Sequence, residues 1–485
     1  MASKNRLALR VLSEDGLDRI EDTAYRLLGE VGISLQHAGA AEMLHGLGCR
    51  IENGRAFIPR NAVEWALERV TAHRVFYERD GTKAFALGDG QVRFHSGGGL
   101  PFILDLESGR RRSPTLTDVE EATRLLDALP NVDVIIPLYG AQDVAPELLT
   151  VASTDVMLRN TRKPVWAAPL DRPQDVSYVV EMGAACCGGM DAFLKHPTMY
   201  LTCSPVSPLT FTEVGTATIM AIAESGAPLL PLPAPTLGAT GPVTMAGTLA
   251  LQHAETLATY TIAAAVRPGI QVMYCSRISA IDPRTAVSIW GGPDIGLTGA
   301  CAGQLAQRLG LTSDTYGLTS SSTLLDAQFG YEALSNALVP ALAGVDILSG
   351  VGSTSDVMVA GPEIAVLDDE MAGLVKHIAG GCEVSEATLA YDAMSSVIPR
   401  DGVFLGEMHT VKQMRGGALW MPGISTRGEG EASASPEGVV SKARSRAREL
   451  IRNHEVPPLP DDIERHLDEI LVRARRELTG LSSHR

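Results

Sequence analysis

The chain is poor in the residues on which much enzyme chemistry is built. Seven cysteines in 485 residues are too few, and odd in number, for a disulfide framework. Cys186 and Cys187 are adjacent, which would strain a bridge between them, so the set reads as buried, reduced thiols. There is no CxxC pair, no HExxH and no His-x-Cys unit, and no metal is expected. His45 and Cys49 stand at helical spacing, but no third ligand accompanies them. No uncharged apolar run reaches membrane-spanning length without a Pro or Gly break, and the first ten residues lack the apolar core of a signal peptide. A soluble, cytoplasmic protein is expected. Bases are outnumbered, with 41 Lys and Arg against 57 Asp and Glu, for a net charge of -16. That balance disfavours nucleic acid and anionic membrane as partners. Aromatic residues make up only 5%, so their placement carries information.

What is present is a globular composition, 45% apolar and 20% charged, and a length that suits one large domain with attachments, or two domains. Leu17, Ile20, Ala24, Leu27, Leu28 and Val31 recur at helical spacing until Gly32 stops the helix. A short helix is expected at 38–47. A strand-turn-strand spans 50–58 around Asn53-Gly54, and a further helix spans 61–70. Residues 1–90 read as a helical and hairpin cap.

From Val92 strands and helices alternate. Strands begin at Val92, Val132, Pro164, Thr198, Pro228, Gln271, Thr312 and Asp346. Helices follow at 117–129, 147–159, 173–187, 211–225, 244–266, 293–309, 328–343 and 363–378. The stretch Thr117-Asp-Val-Glu120 reads as a capping box. Such alternation implies a parallel sheet, and eight units most naturally close into an α/β fold of the (β/α)8 TIM barrel type over 91–380. A doubly wound open sheet is the alternative, but His95-Ser-Gly-Gly-Gly-Leu100 lacks the GxGxxG spacing of a dinucleotide loop. Residues 381–485 form a C-terminal extension: an irregular stretch, a loose Gly/Ser/Glu-rich segment at 426–436, and a charged helical tail at 441–479 broken by Pro457, Pro458 and Pro460. Such a tail packs on its own domain or on a neighbouring subunit.

In a barrel the reactive groups come from the loops after the strands. The segment at 344–356 has that form, a buried strand followed by a small-residue loop ending in Asp356. These loops hold few strong acids or bases, and none looks like a nucleophile with its base. Tyr139, Trp166, Tyr274 and Tyr316 fall at or beside strand ends, and read either as a cage for a quaternary ammonium cation or as layer packing. Asp282, Asp314, Asp326 and Asp356 are carboxylates near the same end, of which Asp314 and Asp326 serve equally well as turn or capping residues. His95 and His409 are the histidines of interest.

Several stretches, in order, carry a resemblance: Ala24-Tyr-Arg-Leu-Leu-Gly-Glu-Val-Gly-Ile33, Phe57-Ile-Pro59, Gly97-Gly-Gly99 with Asp105-Leu-Glu-Ser-Gly-Arg110, and Leu126-Asp-Ala-Leu-Pro-Asn131. Ser204-Pro-Val-Ser-Pro-Leu209, Gly238-Ala-Thr-Gly-Pro-Val-Thr244, His409-Thr-Val and Arg415 with Trp420 and Pro422 continue it. Together they resemble the trimethylamine methyltransferase family over nearly the whole length. The resemblance implies a (β/α)8 barrel. It implies methyl transfer from an amine to a corrinoid (cobalamin) carried by a separate small protein, with no cofactor bound permanently, and it implies a homo-oligomer. In the family's trimethylamine enzymes a pyrrolysine lies in the loop matching 350–356; here Thr354 holds its place. Relatives without pyrrolysine demethylate glycine betaine and similar quaternary amines.

The expected site is therefore a cation-holding wall of Tyr139, Tyr274 and Tyr316. Asp356 or Asp282 offsets the charge, and Thr354 and Asp356 stand at the reacting end. Gly97, Gly98 and Gly99, with Ser204 and Ser207, meet a substrate carboxylate, and His409 lies nearby. Betaine, carnitine, choline and proline betaine all remain open as substrates. A cation-binding barrel without chemistry, or a methyltransferase with another acceptor such as a folate, are the alternatives.

Overall fold

A computed structural model describes residues 4–5, 8–168, 170–400, 402–427 and 438–480. Its centre is a run of short parallel neighbours. His95, in the strand Arg93–Ser96, bridges Val134, and Ile135 bridges Val165. Val165–Trp166 pairs with Met199–Tyr200; Leu201 then bridges Leu229, and Leu229 bridges Val272. Tyr274–Ser276 pairs with Ser313–Tyr316, that strand pairs with Ile347–Val351, and Ile347–Val351 pairs back with Arg93–Ser96. All these pairings are parallel. The ladder is not one continuous sheet. A four-stranded piece and a two-stranded piece are joined by single bridges.

The pleat sends alternate side chains to opposite faces. Ile135, Val165, Leu201, Leu229, Val272 and Leu348 pack with the surrounding helices. Val134, Ile136, Trp166, Tyr200, Leu230, Met273, Cys275 and Ile347 form a separate cluster on the other face. Phe76, Phe85 and Leu87 join that second cluster. They come from or follow the hairpin of Val75–Tyr77 and Lys83–Ala86, which the sequence reading missed because its strands are only three and four residues long.

The helices lie where periodicity places them: Leu116–Ala128, Leu149–Asn160, Pro173–Cys186, Glu213–Ser225, Met245–Val266, Pro293–Arg308, Ala327–Leu342 and Pro362–Ala379. One start differs. The capping box is made by Thr115 and Asp118, two residues before the expected one. Asp118 accepts from the Thr115 backbone and hydroxyl and also grips Arg112 with both oxygens, so the earlier threonine wins the cap.

At the N-terminus, Glu14–Arg26 and a π turn end at Gly32, whose φ is 72°. Asn53 and Gly54, both with positive φ, close the hairpin of Arg50–Glu52 and Arg55–Phe57. The tail forms Val439–Asn453 and Asp461–Thr479, which bury Ala443, Ala447, Leu467, Ile470 and Ala474 on the chain's own surface. Of the loose segment expected at 426–436, only Thr426 and Arg427 are among the described residues. All seven cysteines are free, five of them buried. No helix of the described residues is long and apolar enough to cross a membrane.

Gly350 carries a demand that its sequence context hides. Its φ is 107°, and a Cβ there would lie 2.4 Å from the Leu318 carbonyl oxygen. Gly350→Ala is expected to cost ~2–4 kcal/mol. Gly330, in a helix with nothing within 4 Å of its would-be Cβ, should gain ~0.5–1 kcal/mol as Ala. Urea unfolding midpoints of the two variants, moving in opposite directions from the parent, check both.

Candidate active site

The second strand face carries a charged knot. Asp314 and His95 lie on strands either side of Ile347–Val351, and Arg277 follows the strand Tyr274–Ser276. Asp314 is wholly buried, and Arg277 is 5% exposed. Arg277 Nη2 donates to Asp314 Oδ2, and Arg277 Nη1 donates to the Ser276 carbonyl at 3.0 Å. His95 Nδ1 donates to the Ser96 carbonyl at 2.6 Å. With that proton placed, His95 Nε2 is left 3.3 Å from Asp314 Oδ1 and 3.4 Å from Arg277 Nη2.

Burial opposes the charge on Asp314, but Arg277 and His95 outweigh it and hold the carboxyl below its ordinary range. Burial likewise opposes the charge on Arg277, and Asp314 more than restores it. Both therefore stay ionised at neutral pH. The pair satisfies the rule that a buried charge needs a hydrogen-bonded partner.

Aromatic rings surround this knot. The Trp166 ring lies 5.1 Å from that of His95. Arg277 sits over Tyr316, 5.0 Å from its centroid, and Trp290 meets Tyr316 edge-on at 4.6 Å. Burial raises the Tyr316 phenol, so it keeps its proton.

Trp290 is held by its backbone. Its N–H donates to Asp356 Oδ1 at 2.9 Å, and its carbonyl accepts from Thr319 Oγ1 at 2.7 Å and Asn336 Nδ2 at 3.3 Å. Asp356 also accepts from the Ser321 hydroxyl. Ser355, Asp356 and Val357 are all left-handed, with φ of 52°, 57° and 61°. Outside glycine this costs ~1–2 kcal/mol per residue. The cost is offset by bonds to the neighbouring loop: Ser355 N–H to the Ser322 carbonyl and Asp356 N–H to the Ser320 carbonyl, each at 3.1 Å. Thr354 Oγ1 donates to the same Ser322 carbonyl at 2.7 Å.

Of the residues expected to form a site, Tyr316 joins Trp166, His95 and Asp314. Asp356 reaches the group through Trp290, and Thr354 is buried with its hydroxyl engaged. Tyr139 and Tyr274 lie on the helix side. Among the described residues the Tyr139 hydroxyl has no partner. The Tyr274 hydroxyl bonds to His253 Nδ1 at 2.9 Å and to Gln252 Oε1 at 3.2 Å.

Asp282 is clasped by Arg284 in a turn, which holds its carboxyl down at about 2. Asp326 caps the helix Ala327–Leu342. The Gly97 and Gly99 N–H groups bond to the carbonyls of Val351 and Pro137, at 2.8 Å each, and Gly98 is exposed. Ser204 Oγ accepts from the Leu232 N–H at 2.9 Å, and Ser207 Oγ donates to Glu255 at 2.8 Å. His409 lies on the helix Met408–Arg415 of the C-terminal extension.

Arg277 and Trp290 were not foreseen. A signal existed for each: Arg277 is a lone base directly after a strand, and Trp290 directly precedes the Gly-Gly-Pro that opens a helix.

Residues 2–479 match the model of the trimethylamine methyltransferase (MTTB) family. A glycine betaine methyltransferase of Desulfitobacterium hafniense (strain Y51) is 29% identical, covering 96% of this chain and 98% of its own. A trimethylamine methyltransferase MttB of Desulfitobacterium hafniense (strain DSM 10664 / DCB-2) is 27% identical, covering 96% and 94%. The solved monomethylamine methyltransferase of Methanosarcina barkeri superposes with a TM-score of 0.48 at 14% identity, covering 93% and 96%.

Glu255 links the site loops to pH. It accepts from Ser207 and from the Leu209 N–H at 2.9 Å, and burial raises it from 4.5 to about 7 against those two bonds. The unfolded chain gives up this proton near 4.5 and the folded chain near 7. The group's stabilising difference is thus fully present below the lower value and lost as pH rises through the upper one. Glu255→Gln removes the titration. Relative to the parent it should gain on the order of 2–3 kcal/mol between pH 4.5 and 8, read from urea unfolding at both pH values.

Proposed function

The chain is a methyltransferase of the trimethylamine methyltransferase (MTTB) family, and we propose that it moves a methyl group from a quaternary amine of the glycine betaine kind to the Co(I) of a corrinoid carried by a separate small protein. One observation carries this reading. Aromatic faces gather around a buried carboxylate that is already ionised and paired with Arg277. A quaternary ammonium suits that setting. It brings its own positive charge, to which the faces of Trp166, Trp290 and Tyr316 are attractive. When its methyl is taken as a cation equivalent, the C–N electron pair stays on nitrogen and a neutral tertiary amine departs. A tertiary amine would need protonation first.

The corrinoid supplies the electron pair that forms the new bond. This chain's part is to hold the N-methyl toward the partner and to exclude water. Trp290 presents its ring, and Asp356, Thr319 and Asn336 fix its backbone. Thr354 and Asp356 act by holding their loop rather than by proton transfer. The parallel pairings, returning from Ile347–Val351 to Arg93–Ser96, support a (β/α)8 barrel at 91–380 between a cap and a C-terminal extension.

Val206, Val243, Val287, Leu324 and Met358 stand exposed on loops that follow the strands of that barrel. Their exposure supports a docking surface for the corrinoid protein at this face. The helices Glu386–Leu389, Tyr391–Val397 and Met408–Arg415 bury Val397 alone, and Tyr391, Leu405 and Met408 are at least 70% exposed. Helices this short do not persist in water without packing. A second copy of the chain is the partner always at hand, so this arm is assigned to a homo-oligomer.

Incubation with candidate amines and reduced cobalamin, followed by visible spectroscopy, tests the reaction. Methylcobalamin should form with a quaternary amine; formation with none of them overturns the reading. It would leave a cation-binding protein, or an enzyme with a folate acceptor, to be tested by ligand titration and by methylfolate assay. Trp290→Ala should weaken binding of the substrate cation by roughly 3- to 30-fold. Unchanged affinity by calorimetry would remove Trp290 from the site.

A further inference from the structure

The helix Pro362–Ala379 buries Ile364, Ala365, Leu367, Ala372 and Val375, and with them Asp368, which has no exposure at all. A carboxyl in such a place costs stability that a leucine of similar size would not. Burial pushes Asp368 well above the ordinary carboxylate range, so it stands as the neutral acid. It lies inside the helix and caps neither end. Its Oδ1 has no hydrogen-bond partner among the described residues. Its Oδ2 accepts from the Gly352 N–H at 2.7 Å. A residue that breaks the apolar rule of a core and makes one bond there is kept for that bond.

Gly352 opens a hairpin whose tip belongs to the candidate site. The Gly352 carbonyl accepts from the Gly361 N–H at 3.1 Å, so positions 352 and 361 close the base. Above the base Ser353–Thr354 pairs with Val359–Ala360. At the turn stand the left-handed Ser355, Asp356 and Val357, and Asp356 accepts from the Trp290 N–H at 2.9 Å. The tip is bonded to residues 320–322, which lie in another loop. The base is bonded to a helix, through Asp368. The Asp368 bond is therefore the tie between this hairpin and the frame behind it.

We propose that Asp368 is a positioning residue: through Gly352 it sets the angle of the hairpin 352–361, and through Asp356 the hairpin sets where the Trp290 ring stands. Asp368 touches no substrate and moves no proton. This inference rests on the reading of Trp290 as a ring that meets the substrate cation.

The test uses the whole chain. Asp368→Leu keeps the volume and removes the acceptor. Asp368→Asn keeps a carbonyl oxygen for the Gly352 N–H and, like the neutral acid, carries no charge. Trp290 fluorescence is taken as the difference between each protein and its Trp290→Ala counterpart. Its emission should shift in Asp368→Leu and return to the parent position in Asp368→Asn. Calorimetry with glycine betaine forms the second arm. Asp368→Leu should weaken binding by roughly 3- to 10-fold, and Asp368→Asn by less than about two-fold. In the Trp290→Ala background Asp368→Leu should cost no further affinity, because the ring it positions is gone. If the leucine variant does not fold, Asp368→Ala takes its place with the same expectations, since it leaves room for a water on the Gly352 N–H.

Unmoved Trp290 emission in the folded variant overturns the positioning role, as does an equal loss of betaine affinity with and without the Trp290 ring. If no quaternary amine binds the parent, the reading of Trp290 as the cation's partner falls, and the emission measurement decides the role of Asp368 by itself.

Discussion

A carboxylate shut away from water within a layer of strands persists only if its charge is answered on the spot. Asp314 is answered by Arg277 and His95. This constraint reaches well beyond three residues. Arg277 comes from one loop, His95 from the strand Arg93–Ser96, and Asp314 from the strand two places away. Removing one partner of such a group strands a charge in a medium that cannot solvate it. The strands are thereby tied in register at that end.

The same device recurs in the loops. Asp356 gathers the Trp290 backbone and the Ser321 hydroxyl. Glu332 gathers the Ser320 hydroxyl and the Ser321 N–H, and Glu255 gathers Ser207 and Leu209. Asp356 thus fastens one loop to another, while Glu332 and Glu255, both on helices, fasten loops to those helices. Glycine at position 291 permits the closeness, since a Cβ there would sit 2.2 Å from the Ser321 nitrogen and 2.4 Å from Glu332 Oε2. The left-handed run at 355–357 is the local strain that this cross-linking sustains.

Such an arrangement suits chemistry in which the protein positions and the partner reacts. A site that must supply or remove a proton keeps a group poised near neutrality. Here Asp314 is held ionised and the Tyr316 phenol protonated, and Glu255, raised to about 7, is spent on its bonds to Ser207 and Leu209. The rigid loops and the aromatic faces are what remain, and positioning with desolvation is what they provide.

Much of the fold was legible in the residues themselves. Eight strand starts and eight helices follow from periods of two and 3.6, and each observed pairing or helix start falls within a few residues of its expected place. The turn at Asn53-Gly54 was readable because it demands positive φ. The site was legible only in part. Tyr316, Trp166, His95, Asp314 and Asp356 could be marked as residues at strand ends, but Tyr139 and Tyr274 had the same credentials and face the helices instead. Near the end of a short strand, a one-residue difference in register sends a side chain to the other face, and composition does not record it. Nor does the chain order disclose that Trp290 is steered by Asp356, 66 residues away. Local sequence decides which segments become strands and helices, because backbone preference and apolar spacing act over a few residues. Only the assembled structure decides which polar groups meet, because burial removes water as the competing partner and leaves each charge to find another.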